Sequence, residues 1–108
     1  MDGTGLAVMR ELLQAAQGMQ EALQEAENEL AAMTIEGAAA GGLVVAVFNG
    51  AGEMQAMRIA PEALAVEDPQ WLPSQIVTAV RNAIDAVRET VDNRLAPILA
   101  SASIDQGD

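Results

Sequence analysis

An unbroken run of spacings of three and four constrains this chain more than any other feature. Apolar or small residues stand at Met9, Leu12, Ala16, Met19, Leu23, Ala26, Leu30 and Met33, separated by 3, 4, 3, 4, 3, 4 and 3 positions. Side chains spaced this way line one stripe of an α-helix and form the seam of a coiled coil. The spacing predicts a helix over about 6–33. Alone, such a helix is frail. Gly18 in its middle costs roughly 1 kcal/mol relative to Ala, and Glu21, Glu25 and Glu29, four apart, repel one another along one flank. The seam needs a partner, and two coverings satisfy it: the rest of the same chain, or a second copy.

After Met33 the period switches. Thr34-Ile35-Glu36 tolerates a short strand, Gly37 to Gly42 is a loop of small residues, and Leu43 to Phe48 (LVVAVF) has the content of a strand. Asn49-Gly50 predicts a two-residue type I′ turn, whose central residues both take positive φ, and Met54 to Ala60 (MQAMRIA) returns antiparallel. Along the central strand Val44, Ala46 and Phe48 share one face and Leu43, Val45 and Val47 the other. Both faces are apolar, so neither stays in water without making a sticky patch. Helices of the same chain cover one face; the other is covered either by a further helix of the chain or by a second copy.

Pro61 ends the hairpin. Asp68-Pro69 has the form of an N-cap followed by the first helical residue, but Pro73 disturbs a helix begun there, so the long helix is expected from Pro73 or Ser74. Its seam, Val77, Val80, Ile84, Val87, Val91, Leu95 and Ile98, steps by 3, 4, 3, 4, 4 and 3, with a kink or fraying near Pro97. Residues 100–108 (ASASIDQGD) are small and polar and are expected to form a disordered tail. The chain reads as one α+β domain over 1–99: a helix over about 6–33, a three-stranded antiparallel meander over about 34–60, and a helix over about 74–99. An intertwined homodimer is the expected assembly.

Composition closes most chemistry. The 108 residues include no Cys, His, Lys or Tyr. That removes disulfides, thiolate nucleophiles, the commonest general base and metal ligand, and the lysines of Schiff-base and Walker-type sites. Most enzyme classes end there, and no metal site is expected. Of the apolar residues 22 are alanine, so the core falls to Leu, Val, Ile and Met, and a domain of this size is marginal alone. Five arginines against sixteen acids give a net charge of −11, which repels polyanions at long range. The longest stretch without charge or proline, Gly37 to Gly52, has 16 residues, too few for a membrane span. Met1 to Gly5 has no basic leader. A cytoplasmic chain with no membrane contact is expected.

The ordered set of features resembles the YbaB/EbfC nucleoid-associated family. The resemblance rests on QAAQGMQEAL in the first helix, on Ile35-Glu36-Gly37 before a small-residue loop, and on a strand ending in Asn49-Gly50. It continues through Ile59-Ala60-Pro61-Glu62-Ala63-Leu64 and through Leu72, Ala79, Asn82 and Ala83 of the last helix, covering about residues 6–95. It implies a homodimer that binds DNA with little sequence preference, in the cytoplasm and on the nucleoid, without catalysis or cofactor. The chain departs from the family pattern in charge. Relatives commonly carry lysines along the first helix and just after the loop, where this chain has Gln14, Ala22, Glu25 and Val45. Its first 36 residues hold one Arg and seven acids, and every neutralised phosphate needs a cation or an amide donor.

The candidate DNA contacts are therefore Arg81, Arg88, Arg94, Arg10 and Arg58. Arg81 and Arg88, seven apart, lie nearly in register on one flank of the last helix. They form either a short phosphate-touching stripe or ordinary solvated pairs with Asp85 and Asp92, four residues on. The candidate dimer contacts are Leu43, Val45, Val47, Met19, Leu23 and Leu30. Glu21, Glu25, Glu27 and Glu29 read as a solvated flank or as a docking face for a basic protein partner. An acidic interaction or scaffold dimer that no longer binds DNA is the alternative on the same fold. Trp71, between Pro69 and Pro73, reads as a core or interface plug, or as a base-stacking ring.

Overall fold

The computed structural model describes residues 3–103. Helix α1 spans Gly3–Ala32; strands β1 (Ile35–Ala39), β2 (Val44–Phe48) and β3 (Met54–Ile59) follow. A single turn, α2 (Pro61–Leu64), leads to the long helix α3 (Trp71–Ser103). The three strands form one antiparallel sheet in the order β1-β2-β3. This is the helix–meander–helix α+β fold expected from the periods.

The core lies between the sheet and α3. Val44, Ala46 and Phe48 on β2 meet Ile35 and Ala39 on β1 and Ala79, Ala83 and Val87 on α3. The face assigned by alternation is the one that α3 covers. Small residues set how closely the helix approaches. A Cβ on Gly37 would collide with the backbones of Ala83 and Ala79, both fully buried. Asn82 Nδ2 reaches over the sheet edge and donates to the Ala38 carbonyl at 2.8 Å. The close approach also explains why β1 is longer than expected. Gly37, Ala38 and Ala39, read as loop, pair in register with Ala46, Val45 and Val44, leaving only Ala40–Gly42 as a 3₁₀ turn.

On the opposite face Val45 and Val47 are buried too, each 8% exposed. Arg58 sits opposite Val45 on β3 and Glu36 opposite Val47 on β1. Their side chains close an ion pair of 3.1 Å across the central strand, so part of the second apolar face is covered by neighbouring strands.

The turn after β2 differs from expectation. Neither Asn49 nor Gly50 takes positive φ; Gly52 does, at 84°. Gly52 N–H donates to the Asn49 carbonyl at 3.1 Å, and Asn49 N–H to the Glu53 carbonyl at 2.9 Å. The buried Asn49 side chain holds this longer loop: Oδ1 accepts from the amides of Ala51 and Glu53 at 3.0 Å, and Nδ2 donates to Glu53 Oε1 at 2.8 Å. The loop also caps α1. Gly50 N–H donates to the Leu30 carbonyl at 2.7 Å, and a Cβ on Gly50 would strike Leu30. A tight type I′ turn would leave that carbonyl, one of the four orphans at a helix C-terminus, without this donor.

Helix α3 starts at Trp71, earlier than expected, because Pro73 falls in the first turn, where no intrahelical N–H is required. The Asp68 carboxylate accepts from Gln70 N–H at 2.9 Å just before it. The helix also continues through Pro97 to Ser103, so the tail expected from residue 100 is helical over its first four positions; residues 104–108 lie outside the described residues. The molecule is drawn out to 79 × 27 × 16 Å. Its radius of gyration of 21.6 Å exceeds the ~13 Å of a compact chain of this length. The first half of α1 and the end of α3 cause this, extending together past the sheet as an arm.

Candidate nucleic-acid interface

The core pattern of α3 fixes where its cations lie. With Ala79, Ala83 and Val87 turned to the sheet, a 3.6-residue period puts Arg81 and Arg88 on the far side, and both are exposed. Asp85 and Asp92, one turn on from each, are not within ion-pair distance of them. Among the described residues the ion pairs are Arg58–Glu36 and Arg94–Glu29. The reading of Arg81 and Arg88 as i,i+4 pairs is therefore not realised. Both guanidinium groups face solvent with all their donors unengaged by carboxylates.

The other three arginines differ in situation. Arg94 Nη2 contacts Glu29 Oε1 at 2.6 Å and ties α3 to α1. Arg58 is held across the sheet by Glu36. Arg10 lies on the arm, exposed and outside both ion pairs. Among the described residues, two of the five cations are thus in ion pairs and three are not, and of those three only Arg81 and Arg88 share one helix flank.

The candidate dimer residues are also distributed. Leu30 is buried where the Asn49–Glu53 loop meets α1, and Val45 and Val47 lie beneath the Arg58–Glu36 pair. Leu43 packs half-buried against the core, and Met19 and Leu23 are half-buried on α1. Large apolar side chains stand more open elsewhere, on Leu64 of α2 and along the first half of α1. Leu6, Val8, Met9, Leu12 and Leu13, in the first half of α1, are 49–66% exposed. Sequence reasoning placed Met9 and Leu12 on the seam but did not separate the covered half from the bare one, because that depends on where α3 ends. Trp71 packs half-buried against the core cluster, the plug role. Among the described residues no group of acids could hold a metal ion, and no helix is long and apolar enough to cross a membrane.

A small helix–meander–helix protein with a free arginine pair on its last helix is thus defined by fold and surface. Residues 6–102 match the model of the YbaB/EbfC DNA-binding family. A nucleoid-associated protein of Saccharopolyspora erythraea is 36% identical over 107 residues, covering 99% of this chain and 92% of that one. A nucleoid-associated protein of Streptomyces avermitilis is 41% identical over 96 residues, covering 89% and 85%. The crystal structure of an uncharacterized protein from Helicobacter pylori has the same fold, with a TM-score of 0.69 at 24% identity, covering 92% of this chain and 98% of the other. The chain belongs to the YbaB/EbfC DNA-binding family.

Proposed function

We propose that this protein binds duplex DNA weakly and with little sequence preference, as a homodimer, without catalysis, in the cytoplasm and on the nucleoid. The observation that carries the reading is the free, exposed pair Arg81 and Arg88 on one flank of α3. Guanidinium groups without carboxylate partners are available to phosphate oxygens, the contacts that position a protein on DNA without reading sequence. Two copies pool four such arginines, and Arg10 adds a third cation per chain. Arg94 and Arg58 contribute less, because binding phosphate means giving up Glu29 or Glu36. Opposing all of them is a net charge of −11 per chain, which keeps the affinity low; with few phosphates neutralised, the salt slope is modest.

A mobility-shift titration at low and moderate salt tests the reading. Binding at low salt that fades at moderate salt is expected; no shift at low salt overturns it. A second reading is favoured by a different observation: Glu21, Glu25 and Glu27 stand exposed along α1, outside the two ion pairs. In this reading the dimer is an acidic scaffold for a basic protein partner and binds no DNA. A pull-down returning nucleic acid and no basic protein counts against it.

A further inference from the structure

The loop after β2 holds a reactive pair. An asparagine followed by glycine is prone to lose ammonia, because the next backbone nitrogen can attack the side-chain amide. Glycine puts no side chain in the way of that attack and gives the backbone the freedom to reach it. This chain has such a pair at Asn49-Gly50, whereas Asn28, Asn82 and Asn93 precede Glu, Ala and Arg. The fold imposes both members of the pair. A Cβ at position 50 would strike the Leu30 carbonyl and Cβ, so no side chain fits there. The Asn49 side chain is in turn what holds the loop, through three hydrogen bonds.

We infer that Asn49-Gly50 is a deamidation site which the folded loop holds shut, and that the reaction leaves a loop unable to re-form. Ring closure needs the Gly50 nitrogen without its proton. In the structure that N–H is donated to the Leu30 carbonyl at 2.7 Å, and Gly50 is buried. A carbonyl is too weak a base to take the proton, and solvent hydroxide does not reach a buried amide. The electrophile, by contrast, is already polarised. Asn49 Oδ1 accepts from the Ala51 and Glu53 amides at 3.0 Å, donors placed to hold the oxyanion that attack would form. The Gly50–Leu30 contact is therefore the gate. When the loop lifts from α1, hydroxide removes the Gly50 amide proton and the nitrogen bonds to Asn49 Cγ. The Cγ–Nδ2 bond then breaks, and the departing nitrogen takes a proton from water and leaves as ammonia. Water opens the cyclic imide at either carbonyl, giving aspartate or isoaspartate. Aspartate has no Nδ2 hydrogen to give, and sets a carboxylate against Glu53 Oε1 where a 2.8 Å hydrogen bond stood. Isoaspartate lengthens the backbone by one carbon within a loop whose bonds fix its register.

The test compares the full chain, folded in buffer and unfolded in urea, over the same incubation. Ion exchange reads the added negative charge, an isoaspartate assay reads the product, and peptide mass mapping places it at residue 49. Deamidation should run at least about thirtyfold slower in the folded chain, because opening must first break the hydrogen bonds of the loop. Hydrogen exchange of the Gly50 amide should be slowed by a similar factor, since both reactions wait for the same proton. Equal deamidation rates in the two states overturn the proposal. A Gly50 amide that exchanges freely while deamidation stays slow overturns the gate. Asn49→Gln, whose longer side chain closes its ring far more slowly, should stay unmodified in both states; an undiminished signal there means that the site lies elsewhere. The deamidated fraction, isolated by its charge, should unfold at lower urea than the parent. An unchanged midpoint overturns the claim that the loop fails to re-form.

Discussion

The body and the arm of this protein are built from similar residues to opposite effect. In the body, Gly37, Ala79 and Ala83 let α3 settle onto the sheet until no space remains, and the large residues Val44 and Phe48 fill what is left. In the arm, small residues open a cleft and the large ones stand in water. A small residue therefore closes a core where the facing element lies directly on it, and leaves a groove where the facing helix stands off, as α3 does at Pro97 and Ile98. Charge follows the same division. Among the described residues, 3–20 and 95–103 carry Arg10 and Glu11 alone, while the free arginine pair and the remaining acids lie between them.

Substitutions can break this contrast at either end. The largest effect is expected from Gly37→Val, whose side chain has to displace the α3 backbone; unfolding in urea should show a loss of about 3 kcal/mol or more. An unchanged midpoint would mean that α3 sits farther from β1 than described. Asn49→Ala removes a buried side chain with three hydrogen bonds and should cost about 2 kcal/mol in the same assay. If the cost is near zero, the loop is not what holds the end of α1. On the arm, Gly18→Ala meets open space and should stabilise the chain by about 0.5–1 kcal/mol through helix propensity alone. Destabilisation there would show that the small-residue half is packed. Arg94→Ala, which opens the half-exposed clasp to Glu29, should cost less than about 1 kcal/mol, the smallest change of the set.

Much of the body was legible in the sequence, and the reasons are local. Alternation along Val44 to Phe48 separated the two faces of the central strand, and the seam from Val77 to Ile98 marked α3 as a packed helix; yet Val77 is exposed, and the residues set deepest against the sheet are Ala79 and Ala83, which the spacing of large residues passes over. What was not legible depends on elements far apart in the chain. The Asn49-Gly50 pair signals a tight turn by local rules, but the longer loop is held by the Asn49 side chain on Ala51 and Glu53 and docks through Gly50 N–H on the Leu30 carbonyl, far away in the chain. Gly37 to Ala39 look like loop until α3 is laid over them. The pairing of the arginines was likewise beyond local rules. Spacing joined Arg81 to Asp85 and Arg88 to Asp92, whereas the ion pairs formed are long-range, Arg58 with Glu36 and Arg94 with Glu29. Which half of the α1 seam is covered follows from the end of α3, not from the seam itself.

The salt dependence of duplex binding by the parent and by the Arg81→Ala/Arg88→Ala variant decides whether the free arginine pair on α3 touches phosphate. Four arginines per dimer on phosphates predict that the variant binds more weakly and that its log–log salt slope is shallower by about 3 to 4, roughly 0.9 for each phosphate no longer neutralised. Identical slopes for the two proteins would contradict it, because the free pair on α3 would then touch no phosphate.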